Sequence, residues 1–268
     1  MVLSMNKKVL LIVEGNKTEP KIFNKIQKLF GLDFEIFCFG TNIYSLYKLM
    51  RENDFNVNIK DLLAEVHPEY KNDLDNQFVY TYLIFDLDPH HSRIEETRTI
   101  EELVNENIEI VESMANYFVD ETDPTVGKLY INYPMIESYK DCNDFFDKDY
   151  ETEVIAIDKI VDFKEIVGKK KLSNVRVDKY NKDNIEKLII QNIFKMNTIC
   201  NSKWEMPEYI VYIDETNNVL KCEKSIAINA RQISVLNTSL FLVVDYFGDK
   251  DGFYTYLLNK ALIINSCK

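Results

Sequence analysis

Two strongly apolar runs of this chain each end in an acidic turn, and this arrangement limits the fold more than any other feature. The first run is VLLIVEGNKTEP, which carries Glu14 and Glu19, and the second is YTYLIFDLDPHH, which carries Asp86 and Asp88. A carboxylate beside a hydrophobic sheet is costly unless it is paired, hydrogen-bonded or bound to a cation. Ligand sites of open α/β sheets lie at the carboxyl ends of the strands. The two turns therefore predict a shared metal site.

The first 140 residues alternate between strand and helix patterns. Continuous apolar runs predict buried parallel strands, and apolar residues three or four positions apart predict helices. Thr18 is a candidate N-cap for the first helix, which we expect to end at Gly31. Crossovers of this length predict a mainly parallel sheet flanked by helices. The predicted strands are Lys8–Val13, Phe34–Phe39, Phe78–Phe85 and Leu129–Tyr133, and the predicted helices include Ser45–Arg51 and Glu95–Val119.

The pattern changes near residue 150, where we place a soft boundary between a domain of residues 1–150 and a domain of residues 151–268. Helical periodicity predicts helices over Asp178–Asn197 and Ser225–Phe247. Two short segments, Tyr209–Ile213 and Val219–Cys222, fit either a hairpin or loop material between helices. The second domain is therefore predicted to be mainly helical.

Charge and composition exclude several classes of protein. The net charge of −12 argues against a surface coated with basic residues, although residues 161–204 carry ten Lys and Arg against five Asp and Glu. Within that stretch Lys169, Lys170, Lys171 and Arg176 are candidate contacts for a nucleic-acid backbone, or simply a solvated face.

No apolar stretch reaches the ~20 residues of a membrane helix. The start resembles no signal peptide, so we expect a cytoplasmic protein without a membrane partner.

The acidic residues suit a particular kind of catalysis. Mg²⁺ and Mn²⁺ prefer hard oxygen ligands and leave positions open for water and phosphate oxygens. Glu14, Asp86 and Asp88 could together hold one or two such ions and promote attack of water on a phosphodiester. Each acid also has a simpler interpretation, as a solvated turn residue or as a helix-start residue in the case of Glu19.

These residues resemble a known family. EGNKTEPKIF after a strand, followed by IFDLD after a later strand, is similar to the TOPRIM fold of topoisomerases, primases and related nucleases, and most of all to the RloB-like and overcoming-lysogenization-defect types. The resemblance covers about residues 7–140. It implies that Glu14 is a metal ligand or general base and that Asp86 and Asp88 are metal ligands. Glu19 is a weaker candidate ligand, as is Glu137 in the segment NYPMIE, which matches the family's Asn-Pro-x-x-x-Glu pattern only approximately.

The resemblance implies a nuclease dependent on Mg²⁺ or Mn²⁺ that hydrolyses RNA, including transfer RNA, or DNA, as an effector of bacterial defence against phage. A topoisomerase or primase is disfavoured, because the chain lacks a zinc ribbon and the additional domains those activities require. The alternative is a catalytically silent TOPRIM-like sensor or scaffold bound to an ATPase or another defence partner. A homo-oligomer is compatible with either function.

Overall fold

The computed structural model describes residues 8–89, 99–208, 216–248 and 252–266. Its internal contacts divide the chain into two compact units. The first unit consists of residues 1–86 and 109–130, and the second of residues 87–108 and 131–268. The domain boundary predicted near residue 150 lies inside the second unit and stays a prediction.

The first unit contains a sheet with helices between its strands, as the alternating sequence pattern predicts. Five apolar residues of the first strand, from Val9 to Val13, have no exposed surface, which explains why the strand reads as one continuous apolar run. The elements, in chain order, are β1 (Lys8–Val13), α1 (Thr18–Phe30), β2 (Asp33–Cys38), α2 (Ile43–Glu52), α3 (Ile59–Val66), α4 (Lys71–Leu74), β3 (Tyr80–Asp86), the second half of α5 (Ile100–Tyr117), β4 (Val119–Asp120) and the first part of β5 (Gly127–Tyr133).

The strand order in this unit is β2-β1-β3-β5-β4. Strand β1 is central and pairs in parallel with both β2 and β3, whereas β4 pairs antiparallel with β5. The predicted α/β class with a mainly parallel sheet is therefore confirmed. Because β1 and β3 are parallel neighbours, their carboxyl ends lie at the same edge of the sheet.

Two glycines define turns of the first unit, and the first helix begins one residue earlier than the sequence predicts. Gly31 ends α1 in the left-handed conformation, with its N–H donating to the carbonyl of Gln27, as the sequence predicts. Gly127 has φ +89, and a Cβ there would lie 2.8 Å from a methyl group of Leu83, so conformation and space both require glycine. The predicted N-cap at Thr18 is wrong, because Lys17 occupies the cap position and Thr18 is the first helical residue.

The second unit is mainly helical, with short strands. Its longest helix begins after Asn181, whose side chain and that of Asn184 exchange hydrogen bonds with each other's backbone N–H. The last residues of β5 pair antiparallel with β8, and β6 pairs antiparallel with β7. The elements are β6 (Val154–Ala156), α6 (Phe163–Gly168), α7 (Lys182–Asn201), α8 (Thr216–Ala230), β7 (Gln232–Ser234), β8 (Leu236–Asn237), α9 (Leu242–Phe247) and α10 (Phe253–Ser266).

The helix predicted over Ser225–Phe247 is wrong. Helix α8 ends at Ala230, Arg231 adopts φ +55, and the chain then forms β7 and β8. The apolar residues of this segment are buried on all sides, and periodicity alone does not separate a short buried strand from a buried helix. The Val219–Cys222 part of the proposed hairpin is also wrong, since these residues lie in α8. Its other part, Tyr209–Ile213, lies outside the described residues.

Candidate metal centre

The carboxyl ends of β1 and β3 bring Glu14 and Asp86 together. The register pairs Val13 with Ile84, and the N–H of Glu14 continues the ladder by donating to the Ile84 carbonyl at 3.1 Å. One step further, the N–H of Asp86 donates to Oε2 of Glu14 at 3.1 Å. Asp86 is only 8% exposed and Glu14 is half-buried. Two acidic residues distant in sequence therefore meet at one sheet edge, where the Glu14 carboxylate contacts the Asp86 backbone.

Glu19 lies beside the same turn. It occupies the first turn of α1, is 5% exposed, and its Oε1 accepts a hydrogen bond of 2.9 Å from the N–H of Gly15. A Cβ on Gly15 would lie 2.9 Å from Oε2 of Glu19, so the missing side chain makes room for this carboxylate. The position of Glu19 in the first helical turn and its contact with Gly15 are compatible with both interpretations, a helix-start residue and a weaker candidate metal ligand.

Asp88 and Glu137 belong to the second unit. The N–H of Asp88 donates to the Pro134 carbonyl at 3.1 Å, and Asp88 has φ +37. The Asp88 backbone therefore lies beside the segment that leads to Glu137. Glu137 occupies a 3₁₀ turn, Ile136–Lys140, and is 8% exposed. Its Oε1 is 3.9 Å from Nζ of Lys164, while within the described part of the chain its buried Oε2 has no hydrogen-bond partner.

The four candidate nucleic-acid contacts, Lys169, Lys170, Lys171 and Arg176, do not all face solvent. Nζ of Lys170 lies 3.6 Å from Oδ1 of the buried Asp141 and 3.1 Å from Oε2 of the partly exposed Glu153, so this lysine points toward two acids. The other three side chains point outward. Lys169 pairs with Glu165 and Arg176 with Asp178, both in exposed ion pairs, and Lys171 is exposed.

The carboxylates of the first unit suit a hard divalent cation in their donor chemistry. Mg²⁺ commonly uses only one or two protein carboxylates, with waters and substrate phosphates completing its shell. Across residues 8–89, 99–208, 216–248 and 252–266, no three His, Cys, Asp or Glu side chains are grouped closely enough to form a complete metal cage. A two-carboxylate site at Glu14 and Asp86, with Glu19 nearby, fits Mg²⁺ better than an ion that needs a full set of protein ligands.

Comparisons with protein-family models, with curated proteins and with solved structures find no match. In the described portion of the chain, no helix combines the length and apolar character needed to cross a membrane. His90 and His91, which follow the second acidic turn, lie outside the described residues.

Sequence reasoning missed a group of buried ionisable residues in the second unit. Burial raises the pKa of Asp141 to about 6 even though Lys170 opposes the shift, and burial raises the pKa of Glu223 to about 7. Burial also lowers the pKa of Lys195 to about 8, although its ammonium donates to the carbonyls of Glu151 and Glu153. In the sequence these residues look like ordinary solvated charges, so no pattern identifies them as buried.

Proposed function

We propose that this protein is a metal-dependent nuclease that hydrolyses phosphodiester bonds of nucleic acid. The observation that carries the proposal is the hydrogen bond from the Asp86 N–H to the Glu14 carboxylate, which places two acids from neighbouring parallel strands at one sheet edge. This edge is where α/β sheets bind ligands. The resemblance of both motifs to TOPRIM nucleases gives the chemistry, because it assigns Glu14 and Asp86 to a metal centre.

Glu14 and Asp86 would hold the ion, with Glu19 as a further candidate ligand. Bound Mg²⁺ or Mn²⁺ would supply stabilisation of phosphate charge and a more acidic water. The chain itself supplies orientation: the Asp86 N–H fixes one oxygen of Glu14, and the Gly15 N–H fixes one oxygen of Glu19. Glu14 is also a candidate general base, as the resemblance implies. Asp88 and Glu137 are further ligand candidates, to be tested separately by their own variants.

The proposed substrate is RNA, including transfer RNA, or DNA, and the proposed setting is cytoplasmic defence against phage. Both come from the resemblance. Lys169, Lys171 and Arg176 are three of the exposed cations in the most basic stretch of the chain. Two of them form exposed ion pairs, which contribute little stability and can be exchanged for contacts to a phosphate backbone. Lys170 is a weaker candidate, because Asp141 and Glu153 already neutralise it.

A cleavage assay tests the proposal. The purified full chain is incubated with labelled single-stranded RNA, transfer RNA and DNA in Mg²⁺, in Mn²⁺ and in excess chelator, beside Glu14→Gln and Asp86→Asn. We expect cleavage only with a divalent ion, and loss of at least ~100-fold in each variant. The matched control is Asp33→Asn, which removes a carboxylate at the beginning of β2, the opposite end of the sheet, and should keep full activity.

The outcomes separate the two candidate functions. Cleavage that survives both substitutions would place the catalytic residues elsewhere. A chain that folds, binds an ATPase or another partner and cleaves none of the three substrates with either ion would contradict the nuclease and favour the sensor or scaffold.

A further inference from the structure

His67 lies beside the turn that follows β2, and both of its ring nitrogens contact oxygen atoms. Nε2 lies 2.8 Å from the carbonyl oxygen of Phe39, and Nδ1 lies 3.2 Å from Oε1 of Glu69. A carbonyl oxygen and an ionised carboxylate can only accept hydrogen bonds, so we assign a proton to Nε2 from its acceptor. Both contacts are satisfied together when the imidazole carries a proton on each nitrogen.

The local sequence explains why His67 reaches this turn. Pro68 disfavours the helical conformation in the residue before it, and His67 accordingly has φ −130 and ψ 79 and ends α3. The backbone N–H of His67 donates to the Leu63 carbonyl. The imidazole packs against the Tyr70 ring, with 5.1 Å between the ring centroids. The ring is therefore held by its backbone, by packing and by two polar contacts.

The carbonyl that His67 contacts belongs to the peptide group that supports Glu14. This peptide joins Phe39 to Gly40, and its N–H donates to the Glu14 carbonyl at 3.0 Å. The N–H of Glu14 donates in turn to the Ile84 carbonyl of β3. The Glu14 backbone is thus held on one side by β3 and on the other by a peptide whose carbonyl bonds to His67. Hydrogen bonds in such a chain polarise one another, so the loss of one weakens the next.

The setting of this peptide makes its carbonyl dependent on the imidazole. Phe39 is 1% exposed, and the imidazole lies against Gly40, where a Cβ would be 3.6 Å from Nε2 of His67. A side chain of similar size without a donor would leave the carbonyl unsatisfied. The peptide would then have to move to find another partner, and the Glu14 backbone would lose its fixed support.

We propose that His67 is a positioning residue for Glu14: its Nε2–H fixes the Phe39–Gly40 peptide, and this peptide fixes the backbone of the candidate metal ligand. The inference rests on the proposed function, because it gives His67 a role in the binding of a divalent ion by Glu14 and Asp86. His67 itself touches neither ion nor substrate in this role. Glu69 orients the ring through Nδ1, and its exposed carboxylate contributes less than the Nε2 contact.

Mn²⁺ binding to the full-length protein tests the role of His67 without requiring cleavage. Free Mn²⁺ is measured by electron paramagnetic resonance in titrations of the parent chain, Asp86→Asn, His67→Phe and His67→Gln. Phenylalanine keeps a ring that packs on Tyr70 but has no donor, whereas the glutamine amide can donate from near the Nε2 position. We expect His67→Phe to bind Mn²⁺ ~10-fold more weakly than the parent, and His67→Gln to recover most of that loss.

A control variant and a metal-free measurement separate positioning from a merely structural role. Leu62→Val makes a buried side chain of α3 smaller, so it should lower the thermal midpoint and leave the Mn²⁺ affinity unchanged. Nitrogen NMR of the metal-free protein labelled at histidine reports the hydrogen bond itself. The chain has three histidines, and the signal missing from His67→Gln belongs to His67. Its Nε2 should carry a proton.

The outcomes distinguish this inference from the proposed function. Equal Mn²⁺ binding by the parent and by Asp86→Asn would refute the metal site, and the role of His67 with it. If the parent needs Asp86 to bind Mn²⁺ but His67→Phe binds as tightly as the parent, only the role of His67 is overturned. A loss of affinity in His67→Gln or Leu62→Val as large as in His67→Phe would overturn it too, as would an Nε2 of His67 without a proton.

Discussion

Replacing Gly15 by alanine would disturb the candidate site without straining the backbone. A Cβ at this position would lie 2.9 Å from Oε2 and 3.0 Å from Oε1 of Glu19, closer than Cβ atoms normally approach a neighbouring atom. Gly15 is not among the residues with positive φ, so alanine can adopt its conformation. The clash is with the far end of a flexible side chain. The Glu19 carboxylate therefore has to move away from the Gly15 N–H, and the strand and helix stay in place.

The size of the effect follows from the contact that is lost. A hydrogen bond to an ionised group contributes about 1.5–3 kcal/mol, and Glu19 is too buried for water to replace the bond fully. If this orientation matters for catalysis, a loss of about 2 kcal/mol corresponds to roughly a 30-fold slower cleavage. The free energy of unfolding should fall by about 1–2 kcal/mol, because the restriction of the unfolded chain by alanine, about 0.4–1 kcal/mol, offsets only part of the lost hydrogen bond.

The assay compares Gly15→Ala with Gly168→Ala, a glycine with no atom within 4 Å of a built Cβ. Metal-dependent cleavage and urea unfolding are measured on both variants. For Gly15→Ala we expect slower cleavage and a loss of stability of about 1–2 kcal/mol. For Gly168→Ala we expect unchanged cleavage and a stability within about 1 kcal/mol of that of the parent chain. Equal cleavage by the two variants would refute the claim that the Glu19 carboxylate must be held beside Gly15.

Three further predictions concern the second unit. Burial raises the folded-state pKa of Glu223 from its ordinary 4.5 to about 7, so the stability that Glu223 contributes is full below pH 4.5 and is lost as the pH rises through 7. In urea unfolding, Glu223→Gln should remove about 3 kcal/mol of that decline. An unchanged pH profile in the variant would contradict the burial of Glu223 as an ionisable group. Lys170→Met should lower the free energy of unfolding by about 2–3 kcal/mol in the same measurement, because it leaves the buried Asp141 carboxylate without its cation. Lys171→Met, at an exposed position, should change this free energy by no more than about 0.5 kcal/mol. Equal values for the two variants would mean that the pairing of Lys170 contributes nothing to stability. Asn192→Ala should cost at least about 2 kcal/mol, because its Oδ1 accepts from the Asn237 N–H and from the Tyr150 hydroxyl, both buried; a smaller loss would show that water replaces it.

The first half of the fold could be predicted from the sequence because local and tertiary signals agree there. Strand β1 is buried on both faces, reads as an unbroken apolar run and ends at a Glu-Gly turn, so its bounds are predicted without error. The segment after Ala230 could not be predicted in this way. Its strands are short and almost entirely buried, and they form because β6 and β5 pair with them. Such partners are distant in sequence, and periodicity does not record them.

In the candidate site, too, some features could be predicted from the sequence and others could not. The adjacency of Glu14 and Asp86 follows from two strand ends and the preference of α/β sheets for parallel neighbours. The hydrogen bond from the Asp86 N–H to the Glu14 carboxylate requires the register, which the sequence does not give. The inward direction of Lys170 was also beyond prediction, since a run of three lysines looks uniform until Asp141 and Glu153 are placed beside one of them.

The most direct test of the central claim is anomalous diffraction from crystals of the protein soaked in Mn²⁺. The account predicts a peak at the carboxyl ends of β1 and β3, with oxygens of Glu14 and Asp86 about 2.0–2.3 Å from the ion, and no such peak in crystals of Asp86→Asn. A peak that neither carboxylate contacts, or an undiminished peak in the variant, would contradict the claim that these two residues hold a divalent cation.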